Sequence, residues 1–224
     1  MNERFARTIK LVGEEGLKKL LSSYVAVFGV GGVGSFAAEA LARSGVGHIA
    51  IVDGDTVAMS NMNRQLLATV KTLGMQKTEA MEQRINDIAP DAKVTKFQGT
   101  YPNIDIDLTE FDFIIDAIDD VKAKVELIVS AKARQIPIIS CMGAGNKLYP
   151  ELFEIADIFK TSEDPLARVM RKKLKERGIK NLSVVYSRER QKKNNDDNTI
   201  GSAVFTTGTV GLIAAGFVVR HLVE

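Results

Sequence analysis

Short apolar runs alternate along this chain with stretches whose apolar positions recur at helical spacing, the pattern of a repeated strand–helix unit. The run Tyr24-Val25-Ala26-Val27-Phe28 ends in glycines, residues 36–44 read as a helix, and residues 48–52 form a second apolar strand that ends on Asp53. Gly74-Met75-Gln76-Lys77 opens a helix to residue 88, with Met81, Ile85 and Ile88 on one face and Pro90 to stop it. Residues 93–97 alternate as a short strand, and residues 99–111 carry no period. A buried-type strand at 113–118, a helix at 122–134 and a strand at 136–142 complete the regular part. The prediction is a Rossmann-like α/β domain: a doubly wound, mainly parallel sheet with helices on both faces and right-handed crossovers.

The two ends of the chain are less regular. Residues 2–21 read as a helix that Gly13 and Gly16 break into two pieces, outside the nucleotide unit or against another subunit. After Pro150 the alternation weakens. Residues 165–177 read as a basic helix, 183–186 as a strand, 189–202 as a mobile surface loop rich in Asn and Asp, and 209–222 as an apolar helix in which Gly211 and Gly216 permit close packing. The expected organisation is a single domain of 1–224, with an N-terminal helical segment at 1–21, a nucleotide-binding core at 24–150 and a basic C-terminal extension at 151–224.

Composition removes some function classes. With 224 residues the chain suits one α/β domain, and its single cysteine, Cys141, excludes a disulfide framework or a four-cysteine zinc site. Residues 1–10 are charged and lack a secretory h-region, and the most apolar tail, 210–219, is half the length of a membrane span. A cytoplasmic protein with no membrane partner is expected. The net charge of +2 is uninformative, but its distribution is not. Residues 168–193 hold Arg168, Arg171, Lys172, Lys173, Lys175, Arg177, Lys180, Arg188, Arg190, Lys192 and Lys193 against only Glu176 and Glu189. Such a run is usually a solvated face; concentrated on one segment, it predicts contact with a polyanion, made by the residues from Arg168 to Arg177.

The chemistry concentrates around the first glycines. Gly29, Gly31 and Gly34 fit G-x-G-x-x-G, which lets the backbone approach a phosphate and aims a helix N-terminus at the anion. Asp53 follows at the distance of an acid that accepts ribose hydroxyls. Strand, glycine turn, helix, strand and acid together predict nucleotide binding. Asp119 and Asp120 lie just past a strand's C-terminal end, where open α/β sheets bind ligands. Cys141 reads as a small buried hydrophobe, and His48 and His221 as structural or surface residues.

Gly29-x-Gly31-Gly32-x-Gly34-Ser35, Asp53-x-Asp55, Ser60-Asn61-x-Asn63-Arg64-Gln65, Gly74-x-x-Lys77 and Asp116-Ala117-x-Asp119, in that order, resemble the ATP-dependent adenylating (ThiF/MoeB-type) fold of ubiquitin-activating enzymes. Arg4-Phe5-x-Arg7 is similar to that family's N-terminal arginine segment. The stretches 116–124, 142–147 and 157–169 narrow the resemblance to the tRNA threonylcarbamoyladenosine dehydratases, over essentially the full chain. The resemblance implies ATP and Mg²⁺, tRNA carrying threonylcarbamoyladenosine as substrate, and a homodimer; a sulfur-transfer or desulfurase partner is also compatible with it. It implies that Gly29, Gly31, Gly32, Gly34, Ser35, Asp53, Asp55 and Asn61 hold the nucleotide. Arg64 and Lys77 would act on its phosphates, Asp119 on the metal, and Arg7 as an arginine finger from the partner subunit. These types suit adenylation, in which charge builds on phosphates and catalysis is positioning plus electrostatics. Arg64 can clamp oxygens bidentately and Lys77 offers a point charge.

Three rival readings have their own signatures. A dinucleotide-dependent oxidoreductase explains the glycines and Asp53 but leaves Arg64, Lys77 and Asp119 idle. An activator of a sulfur-carrier protein usually carries paired C-x-x-C motifs, absent here. A non-catalytic tRNA-binding or docking module has no need of Arg7, Arg64, Lys77 and Asp119 together.

Overall fold

The computed structural model describes residues 3–190 and 200–224. The described strands form one sheet of seven, in the order β3-β2-β1-β4-β5-β7-β6. They are β1 (Tyr24–Phe28), β2 (His48–Asp53), β3 (Lys93–Gln98), β4 (Phe113–Asp116), β5 (Ile138–Cys141), β6 (Phe153–Asp157) and β7 (Ser183–Ser187). All neighbours are parallel except β6 and β7. β1, β4 and β5 are buried on both faces, so they read as continuous apolar runs rather than as an alternation.

The helices are α1 (Ala6–Ser22), α2 (Gly34–Ser44), α3 (Lys77–Ile88), α4 (Val121–Ala133), α5 (Pro165–Glu176) and α6 (Val204–Val223). One apolar cluster joins α2, α3 and α6 to the sheet through Leu41, Met81 and Val210; another joins α4 and α5 through Ile128 and Met170. The sheet is therefore doubly wound. The strand order turns about between β1 and β4, and a ligand crevice is expected outside their carboxyl ends.

Several boundaries differ from the sequence reading for local reasons. The strand expected at 136–142 is β5, Ile138–Cys141, because Pro137 has no N–H to pair, although its carbonyl accepts from Ile114 N at 2.9 Å. The strand expected to reach residue 118 ends at Asp116, whose side chain accepts from Ile118 N at 3.2 Å. β6 was not foreseen: it is a half-exposed edge strand with Glu154 and Asp157 among its residues, so its pattern is weak. α1 departs from helical geometry at Gly13 (φ 75°) but runs unbroken through Gly16.

Residues after 150 are built into the domain rather than appended to it. β7 lies between β5 and β6, and the basic helix α5 packs its apolar side under α4. α6 starts earlier than expected, with Thr206 and Thr207 hydroxyls bonded back to Ala203 O. It is long and apolar enough to span a membrane, yet Val210, Gly211, Ala214, Ala215 and Val218 are buried within the domain. A Cβ on Gly211 would stand 2.3 Å from Val33 O, so that glycine serves packing against α2 of the same chain, not an interface. The loop expected at 189–202 falls largely on 191–199, outside the described residues, as do Lys192 and Lys193.

Candidate functional site

The site is built from the turn after β1. Gly29 adopts φ 84°, and a Cβ there would lie 2.7 Å from Ala117 O; a Cβ on Gly34 would lie 1.7 Å from Gly29 O. Only glycine lets the turn close this tightly against the end of β4 and the first turn of α2. Ser35 is fully buried, donates from Oγ to Gly31 O at 2.6 Å and accepts from Leu66 N at 3.2 Å. That hydroxyl fastens the glycine turn to the segment carrying Arg64.

Arg64 lies over the turn: a Cβ on Gly32 would be 3.2 Å from Arg64 Cγ. Its guanidinium donates to Ser60 O at 3.0 Å and to Asn63 Oδ1 at 2.9 Å. Gln65, beside it, is buried against Gly31, and its Oε1 has no partner among the described residues. It is the Gln65 Nε2 that stands 3.6 Å from the position of a Gly31 Cβ, and the buried Oε1 is a polar group left for a further partner. Gln65 stands in the polar run at 60–65 but was not assigned a role from sequence. Thr207 of α6, within 3.3 Å of the same Gly32 position, had no motif to reveal it.

Asp53, at the end of β2, accepts from Val30 N and from Asp55 N, each at 2.9 Å. Burial pushes its carboxyl above the usual range, against the pull of Lys77 and these amides. Lys77, the first residue of α3, reaches back with a side chain only 7% exposed, 2.6 Å from Asp55 Oδ2 and 3.8 Å from Asp53 Oδ1. Asp119 is exposed just beyond Ile118, whose N is 3.2 Å from the position of a Gly29 Cβ. The adjacent Asp120 caps α4 through Ala123 N.

Among the described residues no cluster of three or more His, Cys, Asp or Glu could hold a metal ion. A metal held by one carboxylate, phosphate oxygens and water needs no such cluster, and that hard-oxygen set suits Mg²⁺.

The structure does not bring every expected residue to this edge. Asn61 stays close to it, its carbonyl accepting from Arg64 N and Gln65 N and its Oδ1 from Ala58 N at 3.0 Å. Arg7 is exposed near the other end of the strands: its neighbour Arg4 binds Asp91 Oδ2 at 2.5 Å, just before β3 begins. Strands of five or six residues set the two edges about 17–20 Å apart. Along α5, Arg168, Lys172, Lys173 and Lys175 are exposed, whereas Arg171 donates to Thr161 O at 2.9 Å and Arg177 pairs with Glu126 at 2.6 Å. Cys141 is buried with its thiol pushed up to about 12 by desolvation, so it is not a nucleophile at neutral pH. His48 stacks on Tyr24 with ring centroids 3.4 Å apart, and His221 meets Phe113 edge-on at 5.0 Å.

Comparison with known proteins agrees with this fold. The profile of the ThiF family matches residues 5–224. The chain is 43% identical to the tRNA threonylcarbamoyladenosine dehydratase of Bacillus subtilis, over 100% of this chain and 96% of that one. It superposes with a TM-score of 0.90 and 34% identity on the E. coli tRNA N6-threonylcarbamoyladenosine dehydratase in complex with AMP, covering 98% of this chain and 94% of that one. The ATP complex of the same E. coli protein gives a TM-score of 0.89, also at 34% identity, with coverage of 98% and 93%.

Proposed function

The chain belongs to the ThiF family, and from that premise we propose that it is an ATP-dependent tRNA threonylcarbamoyladenosine dehydratase. The observation that carries this reading is the similarity to such a dehydratase along the whole chain, at 43% identity. The threonyl carboxylate oxygen attacks the α-phosphorus of ATP and pyrophosphate leaves. A group of the same modified side chain then attacks the activated carboxyl, AMP leaves, and a ring closes with net loss of water. No enzyme nucleophile is required, which is consistent with the buried, protonated Cys141.

The chain's own residues have distinct duties in this scheme. The glycine turn and the N-terminus of α2 cradle the phosphates, and Asp53 accepts the ribose hydroxyls. Arg64 and Lys77 stabilise charge that builds on the phosphate oxygens during displacement. Asp119 would hold Mg²⁺, which would offset the negative charge of the phosphates. Arg7 completes the site of a partner subunit in a homodimer, because its own glycine turn lies at the opposite strand edge. The exposed cations of α5 contact tRNA phosphates, and the enzyme works in the cytoplasm. ATP incubated with the protein should yield AMP only when tRNA bearing threonylcarbamoyladenosine is added. AMP formed with a sulfur-carrier protein instead would favour the rival activator.

A further inference from the structure

Below the carboxyl ends of β4 and β5 lies an ion pair that the proposed chemistry does not use. Lys124 of α4 and Asp116 of β4 are each 0% exposed, with Nζ 3.0 Å from Asp116 Oδ2. Lys124 Nζ also donates to Ile118 O at 3.0 Å and to Cys141 O at 2.9 Å. Asp116 in turn accepts from Ser140 Oγ at 2.5 Å and, through Oδ1, from Ile118 N at 3.2 Å. Both backbone groups of Ile118, the residue directly before Asp119, are thus held by the two halves of one buried pair.

A buried pair is weak as a source of stability, because desolvation of both charges offsets their attraction; a geometric task is the better account of its presence. Here it ties the ends of two strands together at the edge where the glycine turn already leans on Ala117 and Ile118. We infer that Lys124 and Asp116 are positioning residues that fix the Ile118–Asp119 backbone, so that the Asp119 carboxylate is presented in one orientation to a Mg²⁺ ion bound with ATP. The inference rests on the proposed role of Asp119.

The test compares binding of a non-hydrolysable ATP analogue with and without Mg²⁺, by calorimetry. The variant is Asp116→Asn combined with Lys124→Met, which removes both charges and leaves neither unpaired. Affinity without Mg²⁺ should stay near wild type, while the enhancement by Mg²⁺ should fall about 10–100-fold, as for residues that orient a metal ligand. An unchanged enhancement in the folded double variant overturns the inference. Ser140→Ala, which removes one hydroxyl from the same network, serves where the double variant does not fold; it should lower the enhancement in smaller measure, and an unchanged value there overturns the inference too. Asp119→Asn separates the two layers. If it abolishes the enhancement while the double variant retains it, only the positioning role fails. If it leaves the enhancement intact, the metal assignment fails and the positioning role with it.

Discussion

Lys77 stands 2.6 Å from Asp55 but 3.8 Å from Asp53, so the two acids of the Asp53-x-Asp55 motif are not equivalent. The Asp53 side chain is 9% exposed and held by two backbone amides, whereas the Asp55 side chain is 69% exposed. The first is held in one orientation at the end of β2; the second is an exposed counter-ion for the lysine.

That difference predicts different costs. On the proposed role of Asp53, Asp53→Asn removes a charged acceptor of ribose hydroxyls, and charge-assisted hydrogen bonds contribute about 1.5–3 kcal/mol each, so ATP affinity should fall about tenfold or more. Asp55→Asn leaves Lys77 in place and removes an exposed pair of the kind that contributes about 1 kcal/mol or less, so affinity should change only a few-fold. Calorimetric titration of both variants with ATP checks this; equal losses would show that both acids bind the nucleotide.

Cys141 should be dispensable. Its thiol, pushed up to about 12 and shielded from solvent, should not react with alkylating reagents in the folded protein near pH 8. Cys141→Ser should retain most cyclising activity. A folded but inactive Cys141→Ser or Cys141→Ala protein would point to a thioester intermediate.

Arg7 and Arg64 should belong to one active site formed by two subunits. Arg7→Ala and Arg64→Ala proteins, each inactive alone, should regain activity when mixed under subunit exchange. Each hybrid dimer carries one site with both defects and one with neither, so random exchange should restore roughly a quarter of the wild-type rate. No recovery despite demonstrated exchange would refute the shared site.

The exposed cations of α5 should bind tRNA through its phosphates. Reversing Arg168, Lys172 and Lys173 to Glu, with Arg171 kept because it holds Thr161, should weaken binding across tRNA sequences. The salt dependence should flatten by roughly 0.7–0.9 in slope per lost phosphate contact. ATP affinity should hardly move. Wild-type tRNA binding by the triple variant would make this helix a solvated face.

The sequence revealed most where a residue's local pattern and its final environment coincide. The apolar runs of β1, β4 and β5 are legible because both faces are buried, and the Gly29 to Gly34 turn because a Cβ would not fit. Edge strand β6 was illegible because half-exposed positions carry no period. Motif membership also did not separate chemistry from support. Asp164 caps α5 through Ala167 N, and buried Lys147 donates to Glu189 O, although both stand in stretches that carry the family resemblance. Gln65 went the other way, since only the fold buries its side chain beside Gly31 with an unpartnered oxygen.

The central claim is ring closure driven by adenylation, and mass spectrometry of nucleosides tests it most directly. Threonylcarbamoyladenosine-bearing tRNA is incubated with the protein, ATP and Mg²⁺, then digested. The modified nucleoside should lose the mass of one water, with AMP formed in step, and Arg64→Ala should slow this about 10²–10³-fold through loss of a transition-state contact. An unchanged nucleoside mass with the folded wild-type protein would contradict the account.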